Sequence, residues 1–324
     1  MKIFITGATG FIGSFLVKRL KQTGHQLFCL VRKSSDVRLL EELGATLVIG
    51  DVTDKSTMLQ RMKGCDWVMN LANVYSFWEP DKRVFTRVNV EGTRNVMECA
   101  LETGVSKVVH VSSVVVYGKP QDIPFTEESQ SGPVLFSEYA RTKYLGDLIA
   151  WEIYEEKNLP LVVIYPAGVL GAGDPKATGK YIQNLIHRRL PASVFDDSIF
   201  TFVHVGDVAE AIVRAAEKEN NIGQKYIIGK YQLTFGEINR MVSEISGVPL
   251  PKFKLPDFMA TFNAHLLTQI ANLIKKPPLW GMAIDQIRVM KEGVRADGSK
   301  AERELGISYT PVRVALEEAI ASFK

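Results

Sequence analysis

Near its start the chain reads Thr6-Gly7-Ala8-Thr9-Gly10-Phe11-Ile12-Gly13, directly after the β-rich run Lys2-Ile-Phe-Ile5. Apolar residues at helical spacing follow, Ile12, Phe15, Leu16 and Leu20, ending near Gly24. That is strand, tight turn, helix. A helix that begins this way presents unpaired N–H groups and the positive end of its dipole to whatever lies over the turn, which suits a diphosphate. Three glycines at this spacing have separate tasks: Gly7 makes the turn, Gly10 lets the backbone approach the diphosphate, and Gly13 lets helix and strand pack. The arrangement calls for a dinucleotide.

The end of the second strand selects between dinucleotides. An acid there would hold the ribose 2′-hydroxyl of NAD, whereas a cation accommodates the 2′-phosphate of NADP. Here the strand ends Leu30-Val31-Arg32-Lys33, two cations and no acid, so NADP(H) is favoured over NAD(H).

The apolar runs 26–31, 46–49, 67–72, 107–112 and 161–165 alternate with helical stretches at 37–43, 84–102 and the segment carrying Tyr139. Such alternation predicts an α/β Rossmann fold, a doubly wound parallel sheet with helices on both faces. Length allows a second, smaller unit. Glycines and prolines break the rhythm after Pro166, a helix is expected over 180–189, and the run 202–205 with the helix after it reads as a return to the sheet. The expected division is therefore 1–168 with 202–222 as the nucleotide domain, and 169–201 with 223–324 as a substrate-binding cap. In 257–274, Phe258, Met259, Phe262, Leu266, Ile270 and Leu273 share one helical stripe, expected to pack on that cap.

Charge and cysteine usage narrow the class. With 39 basic and 36 acidic residues and no like-charge block, nothing points to nucleic acid. Cys29, Cys65 and Cys99 are widely spaced and read as buried thiols of a reducing compartment. The five histidines lack metal-ligand spacing, so no metal is expected. Without a signal core or an 18-residue apolar stretch, the expectation is a cytoplasmic protein with no integral membrane segment.

Tyr139 and Lys143 stand four apart in Ser-Glu-Tyr-Ala-Arg-Thr-Lys, after Ser112 and Ser113. On a helix that spacing places phenol and ammonium on one face. A nearby cation favours phenolate, which is expected to pull the Tyr139 pKa below about 10 towards the range of a working acid or base.

These residues together resemble the extended short-chain dehydrogenase/reductases, the NAD-dependent epimerase/dehydratase family. The likeness extends through Asp51-Val52, Asn70-Leu-Ala72, Asn89-Val-Glu-Gly-Thr93, Val111-Ser-Ser-Val-Val-Val-Tyr-Gly118, Tyr165-Pro-Ala-Gly168 and Phe202-Val-His-Val-Gly-Asp207. Among subgroups it is similar to the dihydroflavonol-reductase and 3β-hydroxysteroid-dehydrogenase-like enzymes, and particularly to the bacterial hopanoid-associated sugar epimerase group, whose aromatic loop resembles Tyr75-Ser-Phe-Trp-Glu-Pro80.

The resemblance implies roles position by position. Gly7, Thr9, Gly10, Phe11, Ile12 and Gly13 would cradle the pyrophosphate, Arg32 and Lys33 the 2′-phosphate, and Asp51 and Val52 the adenine. Leu71, Ala72 and Asn73 would line the centre of the cofactor, with Asn89, Ser112, Pro166 and Val169 completing its site. Ser113, Tyr139 and Lys143 would be catalytic, with Tyr139 giving a proton, Ser113 holding the oxygen, and Lys143 lowering the Tyr pKa while binding the ribose. The implied reaction reduces a ketone or aldehyde to an alcohol, or the reverse.

Two departures, Asn73 in a place that is usually small and apolar and Tyr165-Pro-Ala-Gly168 without the arginine frequent in nucleotide-sugar enzymes, argue against a sugar. Tyr75, Phe77 and Trp78 form an aromatic wall suited to an apolar substrate. The alternative is an epimerase or dehydratase that retains NAD(P), with Lys180, Arg188 and Arg189 available to a nucleotide-sugar diphosphate. By analogy the protein would be a homodimer through 90–102 and 139–154.

Overall fold

The computed structural model describes all 324 residues. The chain opens with β1 (Lys2–Thr6), α1 (Phe11–Lys21), β2 (Gln26–Val31), α2 (Arg38–Glu42), β3 (Thr46–Ile49), α3 (Lys55–Met62) and β4 (Trp67–Asn70). There follow α4 (Arg83–Phe85), α5 (Thr93–Thr103), β5 (Lys107–Val111), α6 (Glu138–Lys157), β6 (Leu161–Pro166), β7 (Gly168–Leu170) and α7 (Ala177–Ile186). The remainder comprises β8 (Ile199–His204), α8 (Val205–Glu217), β9 (Lys225–Ile228), β10 (Tyr231–Thr234), α9 (Phe235–Ser246), α10 (Asp257–Ile274), α11 (Ile284–Glu292), α12 (Ser299–Leu305) and α13 (Val312–Ala321).

Seven strands pair in the order β3-β2-β1-β4-β5-β6-β9, every pair parallel. Parallel strands covered on both faces must be apolar on both, and every residue of β5 and β6 is buried. Leu16, Val17 and Leu20 of α1 and Val208, Ile212 and Ala216 of α8 cover one face together with Leu305. Met58 and Met62 of α3, Val96, Met97 and Ala100 of α5, and Ile149 and Ile153 of α6 cover the other. Chain direction across the sheet reverses between β1 and β4, so their carboxyl ends open a crevice at the place where this architecture binds ligands.

A second sheet, β10-β8-β7, carries its own core with α7, α9 and α13. The run 202–205 belongs here. β8 pairs antiparallel with β10 and parallel with β7 and does not rejoin the main sheet. What returns is α8, packed on the open face, and β9, which adds beside β6 from beyond residue 222. Apolar β-branched runs look alike in either sheet, so sequence could not assign this one.

The stretch 84–102, expected as one regular helix, is continuous but contains a π-helical segment, Thr86–Gly92, between α4 and α5. Helix α10 differs more. Its buried residues are the small ones, Ala260, Ala264, Thr268 and Ala271, whereas Phe258, Met259, Phe262, Leu266, Ile270 and Leu273 are exposed. The stripe expected to pack on the cap faces outward. Short side chains at four-, four- and three-residue intervals allow close approach to the neighbouring elements, with Ala260 and Ala264 sharing a cluster with Ile287 and Met290 of α11.

One buried charge secures the returning helix. Lys107 Nζ, from β5, donates to the carbonyls of Lys218 and Ala215 at the end of α8 and to Asn221 Oδ1 at 2.8 Å. Helix carbonyls there lack intrahelical partners and welcome a cation. Burial pulls the ammonium pKa down, so these acceptors are what keep the charge tolerable. Lys107→Met should lower stability by ~1–3 kcal/mol, since buried acceptors are left unpaired, and urea denaturation followed by circular dichroism checks it.

Candidate active site

The glycine turn is shaped by contact with β4. Gly7 has φ +74°, and a Cβ there would sit 2.7 Å from the Leu71 carbonyl carbon. A Cβ on Gly13 would collide with the Gly7 carbonyl oxygen. Only glycine satisfies both constraints. The N-cap of α1, Gly10, has no side chain to bond the first helical amides, so those of Phe11, Ile12 and Gly13 remain available to an anion. Thr9 and Gly10 are exposed beside them, and Phe11 and Ile12 are half-buried.

Next to the turn, Arg32 and Lys33 leave the end of β2 exposed and without ion pairs. The one acid close by in sequence, Asp36, is held by Arg38 through a fork of bonds at 2.9 and 2.5 Å. Asp51 bonds its own turn, accepting from Thr53 N and Oγ1. Val52 is buried, and its carbonyl is held by Asn95 at 2.9 Å. On the other side of the turn, the Ala72 amide donates to Thr6 Oγ1 at 3.1 Å, and Asn73 bonds back to the Leu71 carbonyl. Pro166 closes β6, and Val169 lies in β7.

Ser113, Tyr139 and Lys143 meet at the carboxyl end of β5. Helix α6 is started by Ser137, which accepts from Ala140 N at 3.0 Å, and this sets Tyr139 and Lys143 on its inward face. Both are buried. Lys143 Nζ donates to the Val111 carbonyl at 2.9 Å. Ser113 Oγ faces the Tyr139 hydroxyl and caps the short 3₁₀ turn that follows, accepting from Val115 N at 3.4 Å. Ser112 is buried with no partner for its Oγ. An orphaned hydroxyl at the carboxyl end of β5 and a glycine cradle with free amides at that of β1 fit a bound dinucleotide, and the residues present suit NAD or NADP.

The Tyr139 pKa does not fall as expected. Burial pushes the phenol well up, and Ser113 offsets this only in part. The Tyr75 ring lies over it with centroids 5.1 Å apart, and Phe77 packs edge-on against Tyr75 at 5.9 Å. Lys143 is itself pulled down to about 8 by burial, against a smaller upward pull from Asp147.

Sequence reading missed what lies underneath. Thr6 Oγ1 donates to Asn70 Oδ1 at 2.6 Å, Asn70 Nδ2 meets His110 Nδ1 at 3.1 Å, and His110 Nε2 lies 3.4 Å from Asp147 Oδ1. All four are buried. Burial lowers the His110 pKa against an upward pull from Asp147, and neither His110 Nε2 nor Asp147 Oδ1 completes a hydrogen bond at this separation. The one available signal was that Asp147 follows Lys143 by four residues on the same helix.

Asn89, expected to touch the cofactor, is bonded within the protein. Its Oδ1 accepts from Val74 N at 2.7 Å, and its Nδ2 bonds Thr142 Oγ1 at 3.0 Å and the Val74 carbonyl at 3.3 Å. It ties the aromatic loop to α6. Trp78 reaches away from Tyr139, its indole N–H donating to Asn272 Oδ1 of α10 at 2.9 Å.

Residues 3–229 match the NAD dependent epimerase/dehydratase family. The chain belongs to this family. Its members of this extended short-chain dehydrogenase/reductase type are NAD(P)-dependent enzymes, and this chain is one. It is 30% identical over 99% of its length to a candidate dihydroflavonol 4-reductase of Synechocystis sp., covering 94% of that protein. It is 29% identical over its whole length to sterol demethylase protein B of Methylococcus capsulatus, covering 98% of it. The crystal structure of gox2253 superimposes with a TM-score of 0.84 at 35% identity, covering 99% of this chain and 97% of that one. No helix of this family member is long and apolar enough to cross a membrane.

The buried ammonium gives a signed test. The unfolded chain holds the Lys143 proton up to about 10.4, while the folded protein releases it at about 8. Between those values the unfolded state binds more protons, so this group destabilises the free protein below pH 8 and ceases to do so as pH rises. The free protein should therefore gain ~1–3 kcal/mol of stability between pH 8 and 10, and Lys143→Met should abolish that rise, as read by chemical denaturation across pH.

Proposed function

We propose that this family member is an NADP-preferring oxidoreductase that interconverts a ketone or aldehyde and an alcohol. The observation that carries the reading is the convergence of Ser113, Tyr139 and Lys143 at the carboxyl end of β5, beside the glycine turn and under Tyr75. A bound nicotinamide dinucleotide would supply or accept the hydride. In the reducing direction the carbonyl carbon gains hydride, its oxygen gains the Tyr139 proton, and the phenolate is reprotonated from solvent. Ser113 holds the developing oxyanion by a second hydrogen bond, and the Lys143 ammonium stabilises the phenolate and binds the ribose. The elevated Tyr139 pKa of the free protein keeps the proton in place until substrate arrives.

NADP preference rests on Arg32 and Lys33, exposed and unpaired, and on Asp36 being bound by Arg38 instead of facing a ribose hydroxyl. A charge-assisted contact contributes ~1.5–3 kcal/mol, or roughly 10- to 150-fold in affinity. Ser112, Pro166 and Val169 would border the nicotinamide, and Asp51 and Val52 the adenine. Tyr75 and Phe77 form the wall nearest the reacting oxygen. They suit an apolar, ring-bearing substrate, in keeping with the dihydroflavonol and sterol in the names of the two relatives. A homodimer is proposed only by analogy.

Three measurements test this. Tyr139→Phe should lower turnover ~100- to 10,000-fold with cofactor affinity unchanged, because only the proton is lost. Arg32→Ala should weaken NADPH by at least ~10-fold and leave NADH unaffected in titration calorimetry. A protein that binds NADH as tightly as NADPH, or purifies with stoichiometric NAD(H), would instead favour the family's epimerase chemistry. Tyr75→Ala with Phe77→Ala should raise KM for a ring-bearing ketone without changing NADPH affinity, and an unchanged KM would make the pair structural.

A further inference from the structure

Helix α10 is built inside out for a helix bathed in water. Its inward face is small, and its outward face carries large apolar side chains: Phe258 is 74% exposed, Phe262 69% and Leu273 83%. A surface helix ordinarily turns polar residues outward, and a contiguous exposed apolar patch marks an interaction surface. The patch extends beyond the helix. Phe253 stands before it at 74% exposure, and Leu279 and Trp280 after it at 62% and 50%.

Charge at the two ends of this patch is predominantly positive. Lys252 and Lys254 precede the helix and Lys275 and Lys276 follow it, all exposed, while Asp257 is its only acid. Lys254 is partly neutralised by Asp197 at 3.1 Å, whereas Lys252, Lys275 and Lys276 form no ion pair. An apolar stripe with lysines at both ends and a flanking tryptophan matches the water–lipid boundary, where aromatics sit at headgroup depth and lysines reach anionic lipid. A second copy of the chain docked through this patch about a twofold axis would bring lysine-bearing ends against lysine-bearing ends, which disfavours that occupant. The helix has 18 residues and fails as a membrane span, so its geometry is that of a helix lying in the interface plane.

We propose that α10 and the turn after it form a monotopic docking surface that lays the protein on an anionic lipid bilayer. Phe258, Phe262, Leu266 and Leu273 enter the acyl boundary, with Lys252, Lys275 and Lys276 on the headgroups. The same helix bonds Trp78 of the aromatic loop through Asn272, so the docked face is one helix away from the mouth of the active site. The docking surface stands independently of the cofactor and reaction assigned above.

Sedimentation of the full chain with vesicles of phosphatidylglycerol and phosphatidylcholine, or of phosphatidylcholine alone, tests it at low and high salt. The expected result is binding to the anionic vesicles that weakens with salt. A Phe258→Ser/Phe262→Ser/Leu273→Ser variant should lose at least ~10-fold in partitioning, and Lys275→Glu/Lys276→Glu about fivefold per lysine on anionic vesicles only. Melting temperature and NADPH affinity should hold in both, since the altered side chains are exposed. Quenching of tryptophan fluorescence by brominated lipid, lost in Trp280→Phe, should report insertion in the otherwise unaltered chain. Absence of both vesicle binding and quenching overturns the proposal. So does equal binding by the triple serine variant, or a triple variant that turns a dimer into a monomer while the parent protein ignores vesicles.

Discussion

A line of buried polar side chains runs beneath the active site and organises it. Thr6, Asn70 and His110 sit on three adjacent strands, and Asp147 closes the line from α6. Apolar contacts alone would let parallel strands slide against the helices over them; hydrogen bonds between fully buried groups are costly to leave unmade, so they fix one alignment. The alignment in question is that of the glycine turn, held through Thr6 and Ala72, with β5, whose His110 faces Asp147 at 3.4 Å on the helix that carries Tyr139 and Lys143. Asp147 also supplies the one negative charge that eases burial of the Lys143 ammonium. The glycine turn and the Tyr139–Lys143 pair are thus set relative to each other by buried groups that lie beneath both.

A second set of bonds does the same for the substrate side. Asn89 holds Val74 to Thr142, the residue immediately before Lys143, so the aromatic loop is fastened to α6. Tyr75 consequently lies on Tyr139, and its ring excludes water from the phenol. Burial of both Tyr139 and Lys143 then dominates their protonation, which is why proximity in sequence misjudged the direction for Tyr139. A cation four residues away lowers a phenol's pKa only if its field reaches the oxygen more strongly than desolvation opposes it. In this site desolvation is the larger effect.

The main sheet was legible because strands buried on both faces must be continuous apolar runs, and Lys107–Val111 and Leu161–Pro166 end within a residue of where those runs do. The glycine turn was legible because its geometry admits one residue type. Topology after Pro166 was not, since Ile199–His204 has the composition of a main-sheet strand yet lies in the second sheet. Periodicity recognised α10 as amphipathic but carries no sign. Alanines at 260, 264 and 271 repeat as regularly as the phenylalanines do, and only the fold decides which face turns inward. His110 and Asp147 are separated by strand, loop and helix, and no local pattern joins them.

The π-helical segment Thr86–Gly92 has a consequence for how the molecule can vary. A π turn holds more residues than an α turn, so the chain before it is rotated out of phase with the chain after it. Val96, Met97 and Ala100 keep the phase of the central core, while Asn89 keeps that of the aromatic loop. One continuous rod therefore obeys two registers at once. Loss of a single residue within it would merge them, forcing either the core or the loop to yield, whereas changes in the loop's length or composition are insulated from the core. The fold has in this way separated what must stay fixed for the sheet from what is free to diversify around the substrate.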